Sequence, residues 1–318
     1  MGALLGQCLL TGAAQAAGPA RAACPGPAVH WQRLDAQTWW FQAAEGDTSA
    51  DNRGLVSNLV AVREGRRVWL LGAGPTPQAG RALACHLKRA TGWQVTDVIA
   101  PWPRPELVLG QSAFVGARWW AHEAVAAAMR ERCPRCEARL RLRLGSAAGD
   151  LGRHPIRIAQ ALLRGEQGQV GPWRWWRLRR ADATSVTVFR HHQAPLWVAH
   201  GLLWGDGPPD LRDAEPGVLT GAVAQLLQWA AVDGQAARWV PEQGPMQDAA
   251  APQRHLVYLA ALQEAVGAAQ ARGALETEVP DTLPGVPAST TAAPRHALNW
   301  QRMWQLMEQA SFAEPAQP

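Results

Sequence analysis

The sequence predicts an α+β chain, a four-layer αββα sandwich followed by a helical C-terminal extension. Three observations carry this expectation. One order of elements (hairpin, loop, helix, strand, loop) occurs twice, first from residue 55 and again from residue 184. Each hairpin and helix has one apolar side to bury, so two such halves pack sheet on sheet with helices outside. The last seventy residues carry helical stripes and no strand pattern. No sequence identity links the halves, so the repeat is one of order only.

The elements follow in turn. Residues 27–46, with Trp39-Trp40-Phe41, read as the first strand. Leu59–Val62 and Val68–Leu71 are β-type runs joined by a charged turn at Arg63–Arg67, a hairpin. Thr76-Pro77 opens a helix over 77–91 with proline at the first helical position; Ala79, Leu83, Leu87 and Ala90 form its stripe and Gly92 ends it. Trp93–Ala100 is a strand that empties into a rigid loop, Pro101-Trp102-Pro103-Arg104-Pro105-Glu106-Leu107. In the second half, Thr184–Phe189 turns at Arg190–Ala194 and returns as Pro195–Trp204. A Gly-Pro loop around Asp206–Pro209 leads to a helix from about Leu219 to Val232, capped by Gly234. Residues 237–246 form a last strand and turn.

A sandwich domain over 27–246 is therefore expected, then an extension over 247–318. In the extension Leu256, Leu259, Leu262, Val266 and Ala269 form one stripe, and Trp300, Met303, Trp304 and Met307 form another. Residues 274–294 read as a Pro-rich linker, and both stripes are expected to pack onto the body.

Composition bounds the function classes. At 318 residues, 47% hydrophobic and 18% charged, the chain can bury a large core and is not of disordered type. Lys88 is the single lysine among 31 basic residues, and 17 Trp stand against one Tyr and four Phe. Tryptophan thus fills sites where Phe or Tyr is common. A net charge of +5 permits binding to nucleic acid or anionic surfaces without demanding it.

Residues 1–23 read as a signal peptide or a disordered tail. A short apolar stretch precedes an Ala14-Gln15-Ala16 cleavage pattern, but no basic residue precedes the stretch. A periplasmic or otherwise exported protein is expected, with the cytoplasm as the alternative, and no spanning helix follows. Cys133 and Cys136 are expected to form a local disulfide at the C-terminal end of a helix.

Several strings resemble segments of the metallo-β-lactamase superfamily, in order and spacing. They are "GLVSNLVAV" (54–62), "GAGPTPQAG" (72–80), "VLGQSAF" with "GARWWAHEA" (108–124) and "WVPEQGPM" (239–246). The tail "RHALNWQRMWQLMEQ" is similar to that of an exported branch that includes quinoprotein relay system metallohydrolases. The resemblance spans about residues 27–310 and implies the metallo-β-lactamase fold.

It also implies two zinc ions on a His-x-His-x-Asp-His loop with further His and Asp ligands, which activate water as a nucleophile. Anchored on Val108-Leu109-Gly110, the loop positions are Trp102, Arg104, Glu106 and Leu107. The third-ligand region, Ala181 to Ser185, contains no His; the bridging Asp falls at His200 or Gly201, and the final His is Gln243. The aspartate that ends the second hairpin strand is Gly72. A former metal pocket of Trp102, Arg104, Glu106, Leu107, Ser185, His200 and Gln243 is thus expected to hold no zinc and no other cofactor.

The resemblance with its ligands replaced points to a non-catalytic binding or accessory protein, whose partner would be a small molecule or a periplasmic protein. The alternative is an ester, thioester or lactam hydrolase with an altered site, using Glu106, His200 or Glu242 for acid–base work. A third reading is a nucleic-acid or anion binder through "WRWWRLRR" (173–180). Alternation on an edge strand, Trp inward and Arg outward, explains that segment more simply. Adjacent His191 and His192 fall at a predicted turn and read as solvated residues.

Overall fold

The computed structural model describes residues 23–153, 156–233 and 236–313. The signal-peptide reading of the first residues and the Gly234 cap lie outside them.

Among the described residues twelve strands form two sheets. The first sheet holds β1 (Trp31–Arg33), β2 (Thr38–Phe41), β3 (Leu59–Glu64), β4 (Arg67–Leu71), β5 (Asp97–Ala100), β6 (Arg118–His122) and β7 (Ala161–Leu163) in that spatial order. The second holds β8 (Gln167–Val170), β9 (Trp173–Ala181), β10 (Thr184–His191), β11 (Leu196–Val198) and β12 (Arg238–Val240), with β12 and β8 at its edges. The predicted hairpins fall in different sheets. β3 pairs antiparallel with β4 in the first, and β10 with β11 in the second.

Strand alternation sorts the core into layers. Val60, Val62, Trp69, Leu71 and Ile99 from the first sheet meet Trp173, Phe189, Val198 and Val240 from the second. The other faces, with Leu59, Leu70, Val186 and Trp197, lie in a second core with the helices. Two mixed sheets with helices on both outer faces are the predicted αββα sandwich.

Helix α1 (Pro77–Thr91) begins as its sequence dictates. Thr76 is extended and its hydroxyl accepts from Ala79 N at 3.0 Å, while Gly92, with φ of 75°, closes the other end. A single turn, α2 (Pro105–Val108), follows the proline loop. Helix α3 (Glu123–Leu144) starts at His122, whose Nδ1 accepts from Ala124 N. Helix α4 (Pro216–Val232) starts three residues earlier than its apolar stripe suggested, because Pro216 takes the first helical turn. In the extension α5 (Ala251–Ala271) packs on α4, and α7 (Pro294–Ala313) on α5. The intervening segment contains one short turn of helix, α6 (Ala288–Thr291).

Three expectations are corrected. The Cys133–Cys136 disulfide is absent, because α3 runs through Pro134 and does not end there. Cys133 faces the core, Cys136 lies half-buried, and burial raises the thiol pKa of both, that of Cys133 to about 12. Among the described residues a disulfide joins Cys24 to Cys85, tying the N-terminal segment to α1. Strand β9 is not an edge strand, since β8 covers it, and Arg180 at its end is fully buried rather than outward. His191 is the last residue of β10, and its buried ring packs edge-on against Trp173.

Seven buried indole N–H groups, including those of Trp173, Trp197 and Trp239, meet no acceptor among the described residues. Trp176, Trp197 and Trp239 contact one another in sequence as stacked or tilted rings, and Trp229 stacks on Trp176 from α4. The indoles act there as apolar bulk, as the Phe-poor composition implied.

Buried histidines make the fold acid-sensitive. His255 of α5 accepts from Trp204 N through Nε2 at 3.0 Å, and its Nδ1 stands 3.1 Å from Ala251 O. Burial pushes its pKa from 6.5 down to about 4. The unfolded chain therefore binds this proton first, so the stability His255 contributes is present above pH 6.5 and is lost as pH falls through about 4. The expected loss is on the order of 3 kcal/mol. Urea unfolding across this range should show it, and His255→Gln should flatten the dependence.

Candidate functional site

The proline loop after β5 delivers the site. Pro101 O accepts from Thr187 N at 2.8 Å, which ties the loop to the second sheet. Pro103 and Pro105 restrict the backbone around Arg104, which is extended before the α2 turn. Leu107 is fully buried and takes the space beside Gly72. Gly72 has φ of 80°, and a Cβ there would lie 2.8 Å from a Leu107 methyl and closer still to Leu59. A side chain at 72 would require Leu59 and Leu107 to shift, and the positive φ favours glycine there.

Arg104 is the centre of the arrangement. It is buried, and its Nε lies 3.2 Å from Glu106 Oε2 and 3.5 Å from Glu242 Oε1. Each carboxylate is held further. Thr48 Oγ1 donates to Glu106 Oε1 at 2.8 Å. Ser57 Oγ donates to Glu242 Oε1 at 2.6 Å, and Trp102 Nε1 and Gly201 N both donate to Oε2 at 3.0 Å. Burial alone would lower the Arg104 pKa, but Glu106 and Glu242 outweigh it and hold it above its ordinary value. Burial alone would raise Glu106, but Arg104 and the Thr48 hydroxyl outweigh it and hold the carboxyl below its ordinary range.

Further groups close around this core. The Arg104 and Arg180 guanidiniums lie 5.8 and 4.6 Å from the Trp102 ring centre. Arg180 donates from Nη2 to Asp210 O, while its Nε and Nη1 have no acceptor among the described residues. Burial lowers its pKa to about 10. Asp210 pairs with Arg212 at 2.7 Å, and that pairing outweighs burial and drives the carboxyl far below its ordinary range. Gln243 donates to Gly46 O at 2.9 Å and accepts from Arg295 Nη2 of α7 at 3.1 Å. Asn299 of α7 binds the backbone of Pro209 and Leu211, so the C-terminal extension braces the loop under the site.

The structure thus brings Trp102, Arg104, Glu106 and Glu242 into one bonded cluster. His200 is fully enclosed beside it, and neither ring nitrogen has a hydrogen-bond partner among the described residues. Burial lowers the pKa of the imidazole, and Arg104 adds to this against the opposing effect of Glu242. Gly201 has φ of 77°, and a Cβ there would lie 2.8 Å from Val186 and 3.1 Å from the Trp102 ring, so the indole needs this glycine to sit where it does. Ser185 is buried in β10 and bonds to none of these groups.

The donor set does not fit zinc. Both carboxylates are turned onto a guanidinium, which repels a dication from the place where they meet. Trp102 and Leu107 offer no donor, and Gln243 is engaged at both ends. Among the described residues no group of three or more His, Cys, Asp or Glu could hold a metal ion.

The sequence did not single out Asp210, Arg212 or Arg295, and Arg180 entered only as the end of the 173–180 segment. Arg180 breaks the Trp-in, Arg-out alternation of β9 only through its environment, which no local pattern reports. Thr48 and Ser57 carried no signal beyond the quoted "GLVSNLVAV" string around Ser57.

No family model matches the chain, and no curated protein matches it. Solved structures do. The metallo-β-lactamase FIM-1 from Pseudomonas aeruginosa in its mono-zinc form aligns with TM-score 0.58 at 15% identity, over 74% of this chain and 96% of that one. A metallo-β-lactamase from Pontibacter korlensis aligns with TM-score 0.56 at 13% identity, over 73% and 99%. One from Hirschia baltica aligns with TM-score 0.56 at 12% identity, over 73% and 98%. These likenesses show the fold: this chain has the metallo-β-lactamase fold, with C-terminal helices beyond the matched region.

Proposed function

We propose that this protein is a non-catalytic ligand-binding or accessory protein, built on a metallo-β-lactamase fold whose zinc cage has been replaced by an internal ion-pair lock. One observation carries the reading. Arg104 and Glu106 stand at positions that the resemblance assigns to zinc ligands; Arg104 bridges Glu106 to Glu242, the neighbour of the ligand position Gln243, and every oxygen of those carboxylates has a partner on this chain. A cation belonging to the chain supplies the positive charge there. The hydrolase alternative needs an acid or base that can reach substrate. Glu106 and Glu242 are held by Arg104, and His200 is enclosed.

The compartment proposed is the periplasm or another oxidising space outside the cytoplasm. The Cys24–Cys85 disulfide supports this, because such bonds persist where the environment is oxidising.

A screen of ester, thioester and lactam hydrolysis with zinc supplied tests the function. The expected result is no turnover above the uncatalysed rate. Turnover that disappears in Glu106→Gln or Glu242→Gln would replace this reading with the altered hydrolase.

A further inference from the structure

Beside the ion-pair lock lies an open cleft of about 410 Å³, between the proline loop, α3, the 210–215 segment and α7. Its walls are unusual in charge. Seven arginines line it against four carboxylates, an excess of three positive charges. Two of those arginines, Arg104 and Arg212, are already paired to Glu106 and Asp210. Arg132 donates to Thr184 Oγ1 and Ala183 O, neither of them an anion. The remaining four, Arg135, Arg139 and Arg143 on α3 and Arg302 on α7, make no ion pair or hydrogen bond among the described residues.

A run of arginines on one helix face is ordinarily a solvated surface. Here guanidiniums converge on one concavity from four separate segments, and one of them comes from an extension some 160 residues further along the chain than α3. Unpaired like charges that face one open cleft repel one another, a modest and salt-screened cost that a bound anion would reverse. The guanidinium fork matches tetrahedral oxyanions through paired N–H donors. The volume lies within the range of small-organic-ligand sites and exceeds what one inorganic anion fills. The surplus charge suits a ligand with two or three negative charges rather than a monocarboxylate.

We propose that this cleft is a binding site for a small organic phosphate with two or more negative charges, gripped by Arg135, Arg139, Arg143 and Arg302 over a floor of Trp102 and Arg104. No bond is made or broken. The inference rests on the binding-protein reading and names the class of ligand.

Inorganic pyrophosphate and ADP serve as probes, with citrate as a carboxylate of comparable charge, in calorimetry on the full chain. Both phosphates should bind the wild-type protein more tightly than citrate, and increasingly weakly as sodium chloride is raised. The double variant Arg135→Glu/Arg139→Glu should weaken pyrophosphate binding by about tenfold or more. Both positions are exposed, so the fold should survive, and an unchanged melting temperature verifies it. Arg66→Glu/Arg272→Glu, an equal charge change at exposed positions outside the cleft, should bind as the wild type does. Cys136 also lines the cleft while Cys133 is buried, so pyrophosphate should slow alkylation of Cys136.

The proposal is overturned if neither phosphate binds at millimolar concentration, if both double variants lose affinity alike, or if citrate binds as tightly as pyrophosphate. Sedimentation with phosphatidylcholine vesicles carrying phosphatidate, without binding of the soluble probes, would replace the soluble ligand by a lipid headgroup. The two readings fail separately. Lactam or ester turnover with pyrophosphate binding intact would remove the non-catalytic reading alone, whereas an inert protein blind to both phosphates would remove the phosphate site alone.

Discussion

Replacing Arg104 by Met is expected to destabilise the fold by about 3–5 kcal/mol, the cost of leaving buried charge uncompensated. Glu106 and Glu242 are 3% and 0% exposed, and Arg104 is the cation that stands between them. With Met in its place two carboxylates would face each other out of water. One would then have to take up a proton or draw water into the core. The triple variant Arg104→Met/Glu106→Gln/Glu242→Gln removes all three charges and should recover most of the loss, because neutral amides can still bond to Thr48, Ser57 and Gly201. Urea unfolding of both variants at neutral pH measures the difference. Equal stability of the single and triple variants would show that the cluster is not held by charge.

Removing the Cys24–Cys85 disulfide is the second large effect. The bond closes a segment of 61 residues between the N-terminal region and α1. Constraining a loop of that length in the unfolded chain stabilises the fold by about 4 kcal/mol in the chain-entropy account, and engineered losses commonly fall between about 2 and 5 kcal/mol. Cys24→Ser/Cys85→Ser should therefore unfold at markedly lower denaturant. The same treatment of Cys133 and Cys136, which are free, should leave the effect of reductant on stability unchanged. Thiol counting under denaturing, non-reducing conditions gives an independent check.

The two cysteine results mark where local reasoning stops. Pairing at i, i+3 looked plausible with Pro134 read as a helix end, but α3 tolerates that proline and continues for ten residues. Its other partner choice depends on how residue 24 returns to α1, and that path has no local signature. By contrast, the hairpins and α1 were legible because their signals are local: alternation in Leu59–Val62, and the Thr76-Pro77 cap with Gly92 at the other end. Leu59, Leu70, Val186 and Val198, apolar residues of the two hairpins, are fully buried.

The site divides in the same way. The Arg104–Glu106 contact could be expected from residues two apart in a proline-held loop. The contribution of Glu242, 138 residues from Arg104, depends on the two sheets bringing the β12 turn against the β5 loop. Arg180 looks like its exposed neighbours in β9 and differs only because Trp102 and Trp204 cover it. Arg139 and Arg143 stand on α3 four residues apart, a spacing common on solvated helix faces. They are indeed exposed, yet they line the cleft that α7 and the 210–215 segment close from other sides.

Zinc titration followed by both calorimetry and thermal melting tests the central claim most directly. If Arg104 has taken the place of the metal, chelator leaves the melting temperature unchanged, added zinc does not raise it, and no stoichiometric binding is seen. Zinc bound at one or two ions per chain, with a matching rise in melting temperature that Glu106→Gln abolishes, would contradict the account.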